Sequence, residues 1–153
     1  MSRIQKILCP VDFSAGSAQA LQQAVDLARR LGASVQVLHT YEMPRFKVPA
    51  GFAAESGEPG EPFDFKKAVD SELDEHLSEL RQKVDSERVP LSTRLIQGPP
   101  AATIVDHASS QGFDLIVMGS HGRSGLDRLL LGSVTERVLR LSRCPVLTVH
   151  VAA

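Results

Sequence analysis

The sequence predicts an α/β fold: an open sheet of five parallel strands with helices on both faces. Three observations predict it. Short apolar runs alternate with longer segments of helical period, in the order β-α-β-α-β-α-β-α-β. One run, Leu115 to Met118, is apolar without a break, as befits a strand covered on both faces. Glycines cluster directly after that run and ahead of another helical segment, where an open parallel sheet forms its ligand crevice.

The elements follow in order. Ile4–Pro10 reads as a first strand, short and ended by proline. Ser14–Leu31 reads as a helix, because Ala18, Leu21, Val25 and Ala28 recur at spacings of three and four. Ser14 or Ser17 is placed to cap it, and Gly32 to end it. Ala33–Thr40 is the second strand. Residues 42–64 hold four prolines, three glycines and no sustained period. They read either as a mobile insertion over a site or as plain surface linker. The second helix, Phe65–Glu87, carries one apolar stripe through Val69, Leu73, Leu77, Leu80 and Val84. Leu91–Gln97 is the third strand. Gly98-Pro99-Pro100 turns into a short helix with Ile104, Val105 and Ala108 inward, proline being well placed in a first helical turn. Asp114–Met118 is the fourth strand, Ser133–Leu141 the last helix and Val146–Val151 the last strand.

Bulk properties narrow the function classes. The chain of 153 residues suits a single domain with a core of its own. Seventeen Lys and Arg stand against 18 Asp and Glu, so no charge excess points to nucleic acid or to a membrane surface. The start, MSRIQKILCPVDFS, reads as no secretory leader, and no apolar run reaches membrane-spanning length. Cys9 and Cys144 are expected as free thiols in a reducing cytosol, a redox pair being the alternative.

The chemistry concentrates in VMGSHGRSGLDRLLLGSVTERVL, Val117 to Leu139. Glycines let backbone N–H groups approach a ligand, and a helix starting near Ser133 would aim unpaired N–H groups at an anion. The hydroxyls of Ser120, Ser124, Ser133 and Thr135 add donors, and Arg123 and Arg128 add charge. The glycines can equally be loop shapers and Ser133 a simple cap. A Walker A loop is absent, since no lysine occurs from Gly98 onward. The spacing at Gly119, Gly122 and Gly125 is GxxGxxG rather than the dinucleotide GxGxxG, and no GxSxG elbow exists.

The chain resembles the universal stress protein family over nearly its whole length. ILCPVDFS looks like the family's first strand and aspartate, and CPVLTVHV like its last strand. Gly119-x2-Gly122-x9-Gly132-Ser133 fits, spacer for spacer, the motif of the ATP-binding branch. The resemblance implies a Rossmann-like sheet of the adenine-nucleotide alpha-hydrolase kind. It implies that Pro10, Val11 and Asp12 line the base and ribose region, with Asp12 bonding the nucleoside. Thr40 falls where the family contacts adenine, although the family usually has a small or aliphatic residue there. Met118 and Gly119 would lie against the nucleoside. Gly122, Arg123, Gly132, Ser133, Val134 and Thr135 would hold the phosphates of ATP, with or without Mg²⁺. Asp12 can also simply open the turn before the first helix.

No two of the five histidines share a metal-ligand spacing with a third partner. His76 reads as solvated, and His39 and His150 as satisfied strand residues. His121, inside the glycine segment, reads equally as a phosphate contact or as an exposed loop residue. The last strand is apolar on both faces, a liability for a sheet edge unless paired. The resemblance implies a homodimer through residues 146–151. The expected function is a cytoplasmic ATP-binding protein, a nucleotide-dependent sensor in stress response whose state an unidentified regulatory protein reads. The alternatives are a slow ATPase or self-phosphorylating protein using Ser120 or Ser133, and a nucleotide-free, chaperone-like interaction dimer.

Overall fold

The computed structural model describes residues 3–43, 64–121 and 131–151. The elements are β1 (Lys6–Pro10), α1 (Ala15–Leu31), β2 (Ser34–Tyr41), α2 (Phe65–Lys83), β3 (Leu91–Gln97), α3 (Pro100–Ser110), β4 (Leu115–Gly119), α4 (Ser133–Leu141) and β5 (Val146–Val149). The strands form one parallel sheet in the order β3-β2-β1-β4-β5. The chain starts at the centre, steps outward through β2 to β3, then returns to lay β4 on the other side of β1. The order therefore reverses between β1 and β4, which brings Asp12 and the end of β4 to one crevice.

Strand alternation builds two cores. Ile7, Cys9 and Val11 of the β1 segment, with Leu115 and Val117 of β4, face α1 and α2. Leu8, Ile116 and Met118 face α3 and α4. Ile7, Leu8, Ile116 and Val117 have no accessible surface, so the central strands are covered on both sides. This is why their sequence is apolar without alternation. Among the described residues, no helix is long and apolar enough to cross a membrane.

Most element limits fall where the residue pattern put them, and the differences have local causes. The first strand begins at Lys6, not Ile4, because the Gln5 and Lys6 N–H groups both donate to the Asp114 carboxylate at 2.9 Å. α2 ends at Lys83 instead of Glu87, since Val84 turns extended and buries its side chain in the core. β5 ends at Val149, not Val151. Its register stops at Gly119↔Val149, and the Ser120 N–H donates to Val149 O at 2.9 Å, which leaves His150 outside the strand. The inward stripe of α1 adds Ala20 and Ala24 to Leu21, Val25 and Ala28, whereas Ala18 is only half-buried. Ser14, not Ser17, caps this helix: its hydroxyl accepts the Ser17 N–H at 3.2 Å. Cys9 and Cys144 are free and pack against opposite faces of the sheet, which excludes a redox pair within the chain. Most of the 42–64 insertion lies outside the described residues.

Candidate nucleotide site at the sheet reversal

Three strand ends meet at the reversal. β1 leads into Val11 and Asp12, β2 runs on past it to Tyr41, and β4 delivers Met118 and Gly119. Phe13 then takes a left-handed backbone conformation, φ 63°, which reverses the chain sharply enough for α1 to begin two residues later. The Phe13 ring packs 4.6 Å from that of His39 and 5.5 Å from that of His76, so His76, though exposed, is not merely solvated. His39 donates through Nδ1 to the Val11 carbonyl at 2.7 Å.

Asp12 opens the turn as well as facing the crevice. Its Oδ1 accepts the Ser14 N–H at 3.0 Å and the Ser14 hydroxyl. The Asp12 N–H donates to Ser17 Oγ at 3.3 Å.

α4 starts beside the end of β4. Gly132 is its N-cap residue and contributes no side-chain cap; the Gly132 N–H instead donates to Ser120 O at 2.7 Å. The Thr135 hydroxyl, buried, donates to the Gly119 carbonyl at 2.8 Å. α3 also begins without a side-chain cap, at Pro99. Two helices thus open toward the same space with their first-turn amides uncapped by side chains, which makes that space attractive to an anion.

The space is a cavity of about 320 Å³. Ten of the twelve residues assigned from sequence line it: Pro10, Val11, Asp12, Thr40, Met118, Gly119, Gly132, Ser133, Val134 and Thr135. Gly122 and Arg123 lie outside the described residues. Sequence reasoning missed Ser17, Leu38, His39, Pro100 and Ile104, which also line the cavity. Pro100 and Ile104 come from α3, and their place there depends on the strand order. Two of the hydroxyls counted as ligand donors are engaged elsewhere: Thr135 on Gly119, and Ser120 with His121 Nδ1 at 2.8 Å. Among the described residues no three His, Cys, Asp or Glu side chains gather as a metal site would require.

The model of the universal stress protein family matches residues 3–150. The chain belongs to the universal stress protein family. Universal stress protein MJ0531 of Methanocaldococcus jannaschii is 34% identical over 145 residues, covering 95% of this chain and 81% of that protein. The solved structure of MJ0577, from the same organism, aligns over 99% of both chains at a TM-score of 0.80 and 29% identity. A universal stress protein from Archaeoglobus fulgidus, solved in complex with dAMP, shares the fold at a TM-score of 0.60 and 22% identity, over 96% of this chain and 98% of that one.

Proposed function

We propose that this universal stress protein belongs to the ATP-binding branch, holds ATP in the cavity between β1 and β4, and acts as a nucleotide-dependent regulator in stress response within the cytoplasm. One observation carries the reading: α3 and α4 both start without side-chain caps at a cavity that Asp12 and the end of β2 also line. The uncapped end suits phosphates, and the strand-end wall suits a nucleoside. The A. fulgidus protein of the same fold holds an adenine nucleotide. For this chain the ligand class rests on its own cavity. A Mg²⁺ ion, where it accompanies ATP, takes its ligands from phosphate and water.

The base is selected at Thr40. β1 pairs with β2 only as far as Pro10↔Leu38, with the Val11 N–H on Leu38 O, while β2 continues to Tyr41 against β3. Residues two apart face the same neighbour, so Thr40 turns its peptide N–H and C=O to the side β1 has vacated. That donor and acceptor match adenine, which sets an N6 amino donor beside ring-nitrogen acceptors. Guanine would set its O6 acceptor against the same carbonyl.

The assembly is read as a homodimer through β5. Among the described residues this strand is a sheet edge, paired with β4 alone, and Leu147 is 43% exposed on it.

The test is to denature freshly purified protein, identify any released nucleotide by mass spectrometry, and titrate emptied protein with ATP and GTP. Saturable ATP binding at least roughly tenfold tighter than GTP, about 1.4 kcal/mol, is expected. An empty protein that ignores millimolar ATP would leave the interaction-dimer reading in its place.

A further inference from the structure

His121 stands two residues beyond β4 and lines the cavity. Its backbone is pinned. The preceding residue, Ser120, donates its N–H to Val149 O and accepts the Gly132 N–H. The His121 carbonyl oxygen abuts the first turn of α1, 2.9 Å from where a Cβ on Gly16 would stand. The backbone at His121 is therefore held between the first turn of α1 and the N-cap of α4. One ring nitrogen is used: Nδ1 lies 2.8 Å from the buried Ser120 hydroxyl. The other, Nε2, is buried and has no hydrogen-bond partner. Among the described residues it is the only buried side-chain polar atom left so. Native proteins rarely leave such an atom unpaired, and one on a residue that lines a cavity is placed to bond what enters it.

We propose that His121 is a ligand of the phosphate chain. Ser120 Oγ–H donates to Nδ1, which keeps the ring proton on Nε2, and Nε2–H donates to a phosphate oxygen. Ser120 is then a positioning residue that acts through the imidazole, not a contact of its own. The inference rests on the nucleotide reading above and names a contact that neither the glycine motif nor the helix ends supply.

The experiment compares ATP, adenosine and inorganic triphosphate as calorimetric probes of wild type, His121→Ala, His121→Gln and His150→Gln. His150 is the control, an exposed ring with its centroid 6.2 Å from that of His121. His121→Ala should weaken ATP and triphosphate at least roughly tenfold and leave adenosine unchanged, with partial recovery in His121→Gln, whose amide keeps a donor. His150→Gln should match wild type. Long-range ¹H–¹⁵N spectra of the wild-type protein need no variant. They should show His121 protonated on Nε2, with that nitrogen shifting on triphosphate and not on adenosine.

An Nδ1-protonated ring in both free and bound protein would overturn the proposal. So would an equal loss for ATP and adenosine, which would make the ring a mere wall. Undiminished ATP binding by His121→Ala, in a chain that binds ATP, would refute the His121 contact and leave the cavity reading standing. Wild-type protein that binds neither ATP nor triphosphate would sink the cavity reading, and this contact with it.

Discussion

The Thr135 hydroxyl donates to the Gly119 carbonyl across 2.8 Å and so ties the first turn of α4 to the last residue of β4. Gly119 opens the glycine motif, and Thr135 lies two residues past its Ser133. Their hydrogen bond gives the threonine a structural role, because it sets the distance between the strand end and the helix N-terminus that together frame the cavity.

Thr135→Val keeps the shape and removes that donor. It leaves a buried carbonyl unpaired, so unfolding in urea should show a loss of about 1–3 kcal/mol. Thr135→Ser, which keeps the hydroxyl, should lose clearly less. Equal losses in the two variants would mean that the methyl, not the hydrogen bond, matters.

Gly119 is close to the α1 backbone. A Cβ there would stand 3.0 Å from the Gly16 carbonyl carbon, 3.1 Å from its oxygen and 3.3 Å from Ser17 N. None of these is the end of a flexible side chain, so α1 or β4 must shift. Gly119→Ala should cost about 1–3 kcal/mol and lower Tm by several degrees in a calorimetric scan. An unchanged Tm would show that the helix rides on the sheet more loosely than the structure has it.

His107 confers a pH dependence away from the cavity. Its Nε2–H donates to Gln36 Oε1 at 2.6 Å, and burial, aided by the charges of Arg94 and Lys6, holds its pKa below the ordinary 6.5. Above 6.5 the imidazole is neutral in both states and its contribution is fully present. As pH falls below 6.5 the unfolded chain takes up the proton first, and stability declines until the folded ring is protonated too. His107→Asn should flatten this part of the stability–pH curve, read by urea unfolding at about pH 7.5 and about pH 5.5. A curve as steep as that of wild type would assign the acid loss to other groups.

The reading of β5 as a pairing edge is best tested at Leu147. Val149 packs against the α1 side of the core, so a charge there would disturb the fold as well as the edge. Leu147→Glu should yield a folded monomer by light scattering and circular dichroism. A variant that stays dimeric would place the interface elsewhere.

The sequence disclosed the strands well because buried parallel strands have a direct signature. Leu115 to Met118 must be apolar on both faces, and β3 and α4 fall on the residues read for them. It disclosed limits poorly where a distant group decides them. The Asp114 carboxylate sets the start of β1, and the inward turn of Val84 stops α2, yet neither leaves a periodic trace. At the site, resemblance and the glycine spacing named residues that do converge on one cavity. They did not show which hydroxyls were already engaged. Nor did they show that Pro100 and Ile104 would reach the same space, since both depend on which strands become neighbours.

Cys9 lies in the central strand without accessible surface, and burial pushes its thiol up to about 12. The thiolate is the form that reacts, so this sulfur is silent while the sheet is closed. Alkylation of Cys9 therefore requires β1 to leave its neighbours, whereas the half-buried Cys144 reacts on a schedule of its own. The chain carries an internal chronometer of whole-sheet opening: each alkylated Cys9 records one excursion of the centre strand into water, with no cysteine engineered to report it.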